Sequence, residues 1–339
     1  TIRLVAEQHL ANRALSNVGG LAGEKAGYQK FETVGAVLSW YRGVVTADKF
    51  LSESRQRNVL GSLNKHLCRL NDVPLLQLDF EGVRTGLFNP MCELGYKISY
   101  VNLQLKTLRQ AFAAAERGGV IAKNPLATMR LNSFTTAPVR PKTAAFNPGQ
   151  LKQVIKLIAA EPVYWRRMLA GFSLLYALRI KEACALAWRP QIDLENMLYR
   201  VPDDVTKNKK GHILPLTDIA VDLLRQHKRL QRERGHRGNH LFPAARNPRR
   251  SVGVTFASNM LSQMFKAGSA HDLRKVSRAW WQENKVDFYV GELMLNHKTG
   301  ILSETYLQNL LIDPCRDAIA KWHEYLMNNG LKEAICGKC

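Results

Sequence analysis

Residues 130–148 divide the chain in two. Arg130, Pro138, Arg140, Pro141, Lys142 and Pro148 are strung together with serines and threonines. Each proline fixes its own φ, lacks an N–H, and pushes the residue before it out of the helical region. No helix or central strand crosses such a stretch, so the segments on either side must bury cores of their own. The stretch reads as an extended, positively charged connector. A length of 339 residues suits two domains of ordinary size.

On the N-terminal side the apolar period is helical. Val34, Val37, Leu38 and Tyr41 recur at i, i+3, i+4 and i+7. Val59, Leu63 and Leu67 share one face of a helix expected over Ser54–Leu70. A third helix is expected over Leu75–Leu87, and a fourth over Ser99–Arg117, stopped by Asn124-Pro125. The expected layout is an arm over 1–30, a helical domain over 31–129, a linker over 130–147, a second domain over 148–328 and a tail over 329–339. The second domain reads as mostly helical: Pro148–Ala160, Tyr164–Tyr176, Lys181–Ala187, Asp218–Leu230, Val254–Phe265, Leu273–Glu283, Phe288–Leu295 and Asp313–Met327. It also contains one hairpin, with strand-like Met197–Val201 and His212–Leu216 around the turn Lys207-Asn208-Lys209-Lys210-Gly211.

The charge is one-sided: 49 Lys and Arg against 28 Asp and Glu give +21 and a pI near 9.9. A chain this basic faces a polyanion. No apolar run approaches the ~20 residues that a membrane-spanning helix needs. Charges at Arg3, Glu7 and Arg13 interrupt anything resembling a signal peptide. These features point to a cytoplasmic protein with no membrane role. The chain opens on Thr1 rather than Met, consistent with a segment removed upstream. The cysteines are scattered, and the terminal Cys336-Gly337-Lys338-Cys339 has no second pair with which to hold zinc, so it reads as a frayed tail with two thiols. Candidate phosphate contacts are Arg140 and Lys142 in the linker, Lys209 and Lys210 in the hairpin turn, and Arg246, Arg249 and Arg250. The basic run from Arg225 to Arg237 reads equally well as a solvated helix face.

Most phosphodiester chemistry lacks its usual parts here. Two-metal cleavage needs convergent carboxylates, and the adjacent pair Asp203-Asp204 reads as a turn. No GxxxxGK[ST] phosphate loop supports ATP-driven work. Metal-free transesterification remains; it needs a nucleophile, cations on the non-bridging oxygens and a proton donor for the leaving oxygen. The second domain holds candidates in order. Tyr176-Ala177-Leu178-Arg179 is followed by Glu182, and Lys207 opens the hairpin turn. His271 and Arg274 are then spaced i, i+3, His297 follows 23 residues after Arg274 in Leu295-Asn296-His297, and Tyr306 comes nine residues later.

In this order and spacing the chain resembles the tyrosine recombinases of the phage-integrase type. Their motifs run Arg in a GLRxxE context, Lys in a β-hairpin, HxxR, LGH and Tyr. The resemblance covers most of 145–325. It implies a mainly α, two-domain architecture: a helical core-site-binding domain, then a mixed catalytic domain with a small β-sheet or hairpin. It also implies roles. Tyr306 is the nucleophile that forms a 3′-phosphotyrosine. Arg179 and Arg274 clamp the non-bridging oxygens, as guanidinium forks do. His297 donates to the same phosphate, Lys207 is the general acid for the 5′-oxygen, His271 assists proton transfer, and Glu182 buttresses Arg179. No metal or other cofactor is implied.

The implied partners are double-stranded recombination sites gripped between the two domains, accessory DNA-bending proteins, and further copies of the chain in a synaptic tetramer. Asp313–Met327 is a candidate for exchange between protomers. Two other activities would fit the same scaffold, a type IB topoisomerase-like nicking and closing activity and non-catalytic DNA binding. Three residues depart from the family pattern. Ala177 stands where Gly is frequent, Lys275 where His is common after HxxR, and Asn296 replaces the Gly of LGH.

Overall fold

The computed structural model describes residues 31–140, 142–206, 209–266, 268–297 and 312–337. The chain divides into two compact units between residues 141 and 142.

The first unit is helical: α1 (Val34–Ala47), α2 (Glu53–Lys65), α3 (Phe80–Val83), α4 (Asn89–Glu93) and α5 (Ile98–Arg117). Thr33 and Ser52 cap α1 and α2 by accepting from Ala36 N–H and Arg55 N–H. Val34, Val37, Leu38 and Tyr41 are all buried, as their spacing requires, against Leu105, Leu108 and Phe112 of α5. Two expected helices are shorter or broken. The second ends at Lys65 and continues as a 3₁₀ turn over Leu67–Leu70. The third, expected over Leu75–Leu87, is a 3₁₀ turn at Leu75–Gln77, then α3, a π-helical turn at Arg84–Phe88, and α4. Asp79 causes the break: its backbone is extended and its Oδ1 accepts from Gly82 N–H at 2.8 Å, so it starts a new helix. The π turn lies just before Pro90, which has no N–H to give the carbonyl four residues back and whose ring crowds it.

The second unit is mixed. Its helices are α6 (Leu151–Ala159), α7 (Tyr164–Leu175), α8 (Ile180–Cys184), α9 (Asp218–Glu233), α10 (Val254–Met264), α11 (Ala270–Glu283), α12 (Phe288–Met294), α13 (Ile312–Asn328) and α14 (Leu331–Cys336). The hairpin strands are β2 (Leu198–Val201) and β3 (His212–Pro215), paired antiparallel with Tyr199 opposite Leu214. A short strand, β1 (Ile192–Asp193), joins β2 and makes the sheet three-stranded. A second hairpin, β4 (Pro243–Ala244) with β5 (Asn247–Ser251), carries Arg246, Arg249 and Arg250 on its exposed surface. The sequence gives no strand signal there, because the five residues of β5, four of them exposed, include a proline and two arginines. Asp203 does form a turn: its Oδ1 accepts from Gly211 N–H at 2.6 Å.

One expectation about the C-terminus is corrected. The tail expected over 329–339 opens with a packed helix, and Cys336, expected to fray, is bonded. Leu331, Ala334 and Ile335 of α14 are buried, Arg167 Nε donates to Ile335 O at 2.9 Å, and Cys336 Sγ donates to Gln226 Oε1 at 3.0 Å. Ile335 packs so tightly on α7 that a Cβ at Gly171 would collide with it. Cys339 lies outside the described residues. The exchange candidate, α13, buries its apolar face in its own unit. Cys315, Ile319, Trp322 and Leu326 sit in one core with Leu174 and Leu175 of α7. Helix α7 ends with carbonyls that lack helical partners. Trp322 Nε1 donates to Leu174 O at 3.3 Å, and His323 Nε2 donates to Leu175 O at 3.1 Å. The Thr217 hydroxyl serves His323 Nδ1 at 2.8 Å. Helix α13 thus secures the end of α7, from which the chain runs directly to Arg179. Trp322→Ala is expected to lower the stability of this unit, free of DNA, by about 3–5 kcal/mol in a denaturant titration. A loss below about 1 kcal/mol would mean that α13 packs elsewhere in the free protein.

Candidate active site

The site begins where α7 ends. Tyr176 closes the helix, and Ala177 takes a left-handed conformation at φ 48°. That geometry explains why glycine is frequent in this position, since a Cβ costs ~1 kcal/mol there. It also turns the Ala177 carbonyl toward Arg274. Arg179, with extended backbone, precedes α8. Glu182, one turn on and buried, takes two hydrogen bonds from it: Arg179 N–H reaches Oε2 at 3.0 Å and Nη1 reaches Oε1 at 2.7 Å. Arg179 Nη2 also donates to Asn296 O at 3.3 Å. Backbone and side chain are therefore held by one carboxylate, the buttress expected of Glu182.

Helix α11 starts at a cap in which Ser269 N–H and Oγ both donate to Asp272 Oδ2, at 3.0 and 2.7 Å. The cap places His271 and Arg274 one turn apart. Arg274 is only 4% exposed. Its Nη1 donates to Ala177 O at 2.8 Å and its Nη2 to Leu295 O. Its pKa is pushed down to about 10 by burial and by the Arg179 guanidinium nearby. Two guanidiniums set together, one almost wholly desolvated, make a strong anion site. His271 is exposed; burial of part of its ring, with Lys275 and Arg274 close, holds its pKa below the ordinary value. Lys275 reaches the carbonyl of Lys142 at 3.0 Å and lies 3.6 Å from Asp272, so this departure from the family pattern is taken up at the end of the linker.

His297 follows α12. Asn296 adopts φ 49°, which asparagine tolerates better than most residues, so it can stand where the family has glycine. Its Nδ2 donates to Lys210 O at 2.8 Å, which fastens the hairpin turn to this locus. The left-handed turn brings His297 back toward α12, where Nδ1 lies 2.7 Å from Glu292 Oε2. Arg278 Nε holds the other oxygen, Oε1, at 2.8 Å. Burial first, then Arg274 and Arg179, hold the His297 pKa below its ordinary value against the pull of Glu292.

Arg179, Glu182, Arg274 and His297 are thus gathered around the carbonyls of Ala177, Leu295 and Asn296, with His271 one turn from Arg274. Lys207 and Tyr306 lie outside the described residues. Arg140, Lys142, Lys209, Lys210, Arg246, Arg249 and Arg250 are all exposed. Sequence reasoning missed Glu292, Arg278 and His212. His212 opens β3, is 5% exposed and neutral, its pKa near 3 through burial and the two arginines; its Nδ1 has no partner among the described residues.

A scan of protein families matches residues 146–310 to the phage integrase family. No curated protein matches the sequence. Among solved structures, a lambda integrase dimer bound to a COC′ core site is 16% identical, with a TM-score of 0.63, covering 90% of this chain and 86% of that one. A lambda integrase tetramer bound to a Holliday junction is 17% identical, at a TM-score of 0.62, with 88% of each chain covered. The Tn1549 transposon integrase in complex with a circular intermediate DNA is 16% identical, at a TM-score of 0.62, covering 86% of this chain and 99% of that one. At such identities the solved structures share a fold, mainly helical with small sheets. The match over residues 146–310 places a phage integrase family domain, that of the tyrosine recombinases, in the second unit of this chain.

Proposed function

We propose that the protein is a site-specific DNA recombinase that cuts and rejoins strands through Tyr306 without metal or nucleotide. The observation that carries this is the anion site: Arg179 and Arg274 converge with their backs held by Glu182 and by the Ala177 and Leu295 carbonyls, leaving their remaining donors for a phosphate. Tyr306 Oη attacks phosphorus and gives up its proton, with His271 assisting. The P–O5′ bond breaks, and Lys207 protonates the departing oxygen. The phosphotyrosine ester conserves the bond energy, so a 5′-hydroxyl from another strand can reverse the step and complete an exchange. Basic residues at 140, 142, 209, 210, 246, 249 and 250 would contact phosphates, which fix register, while groove contacts select the site.

Recombination further calls for several copies on two DNA sites, with DNA-bending proteins as helpers, in the cytoplasm of the cell where the DNA resides. The apolar face of α13 packs in its own unit, and exchange of that helix between protomers would trade this packing for the same contact with a partner.

The test uses nicked duplexes from the DNA flanking the gene, incubated with chelator and resolved on a denaturing gel. A protein–DNA adduct lost in Tyr306→Phe, together with joined products from two duplexes, is expected. An adduct that only reseals its own strand, with no joined products from two duplexes, would favour a nicking and closing enzyme. Binding with no adduct across the flanking DNA would favour a DNA-binding factor.

A further inference from the structure

Beside the arginine pair, the second unit holds the polar chain Arg278–Glu292–His297. Arg278 projects from α11, Glu292 from α12, and His297 from the turn after α12. The two contacts are 2.8 Å and 2.7 Å, both short enough for charge-assisted hydrogen bonds. Glu292 is mostly buried, and each of its oxygens has one partner. The backbone adds a third tie, since His297 N–H donates to Glu292 O at 3.0 Å. Such a ring cannot turn freely. A carboxylate accepts and never donates, so Nδ1 must carry the proton that bridges it to Glu292.

That assignment constrains the other nitrogen. In neutral imidazole only one nitrogen carries a proton. With Nδ1 committed to Glu292, a neutral His297 offers phosphate an Nε2 lone pair, which repels an anion. His297 can donate from Nε2 only as imidazolium.

We propose that Glu292, anchored by Arg278, is the positioning residue that makes His297 a donor at both ring nitrogens, so that engaging the scissile phosphate takes up a proton from solvent. The inference rests on the reading of His297 as a phosphate donor. The charged groups around the ring are Glu292 from α12, Arg274 and, through Glu292, Arg278 from α11, Arg179 ahead of α8, and Lys210 in the hairpin turn bonded to Asn296. The arginines oppose protonation in the free protein. A phosphate that neutralises them removes the opposition, while Glu292 favours protonation throughout. Glu292 itself is held below the usual carboxylate range, burial being outweighed by hydrogen bonds from His297 and Arg278.

Glu292→Gln tests this, because glutamine keeps the shape and an acceptor oxygen and removes only the charge. Two measurements are made on the full chain. In the DNA-free protein, nitrogen-15 NMR titration should show Nδ1 protonated in neutral His297, and a His297 pKa about one unit lower in Glu292→Gln. On nicked duplexes, adduct formation should fall as pH rises through the His297 titration. In the variant that fall should come about one unit earlier, which is about tenfold slower cleavage on the alkaline side with recovery toward wild type at low pH. A structural role alone would lower cleavage equally at every pH. An unshifted titration, or a uniform loss, overturns the proposal. If the wild-type protein forms no adduct at any pH, the recombinase reading fails, and the titration alone decides whether Glu292 governs His297.

Discussion

Replacing Arg274 with lysine is expected to cut strand cleavage about a thousandfold while DNA affinity falls only a few-fold. Arg274 spends two donors on the Ala177 and Leu295 carbonyls, and in the proposed reaction the rest of its planar fork meets the phosphate. Lysine has three donors on one nitrogen and no fork. It cannot serve both carbonyls and still reach a non-bridging oxygen, so it leaves buried carbonyls unpaired as well. The loss falls on the developing charge in the transition state, whereas affinity is spread over many phosphate contacts. Single-turnover cleavage and filter binding on the same duplex separate the two. Equal losses in both would mean that Arg274 is a binding contact only.

Acid is expected to unfold the catalytic unit well above the pH at which carboxylates titrate. Burial pushes His212 and His323 down to about 3 and His227 down to about 4, and all three are nearly fully enclosed. An unfolded chain protonates its histidines near 6.5, whereas these stay neutral in the fold. Their contribution is complete above pH 6.5 and is lost as pH falls toward 3–4. Each costs up to about 1.4 kcal/mol per pH unit in that window, so the three together approach about 4 kcal/mol per unit, which is large against a stability of about 5–15 kcal/mol. Denaturant titrations at pH 7, 6 and 5 read the slope directly. A slope below that of a single histidine would show that water reaches these rings.

The site was legible in the sequence to the extent that it is made of side chains whose chemistry betrays them. An arginine with a glutamate one turn on, a histidine and arginine at i, i+3, and a later histidine carry the resemblance to the family, and their proposed roles come from that resemblance. The backbone half was not legible. Arg274 is positioned by two carbonyls, which every residue possesses. Glu292 and His297 are five apart, a spacing that no helical face predicts; they meet because Asn296 turns left-handed. The departures at Ala177 and Asn296 have the same origin, since the backbone demands positive φ and both residues supply it at a cost.

In the fold, amphipathic stripes marked α1, α5 and α13 correctly, because burial on one face leaves a period in the sequence. The period does not say what covers the face, so it could not tell that α13 packs against α7 in its own unit. Helix α14 is six residues between two glycines, too short to show a period. The π turn before Pro90 and the charged strand β5 depend on local backbone accommodation, which leaves no apolar pattern.

The most direct measurement is to isolate the protein–DNA adduct formed on a nicked duplex in chelator, digest it, and sequence the DNA-linked peptide by mass spectrometry. Recombination through Tyr306 predicts a single linked residue, Tyr306, joined to a 3′-phosphate, with a free 5′-hydroxyl on the released strand. A linkage at any other residue, to a 5′-phosphate, or an adduct that persists in Tyr306→Phe would contradict it.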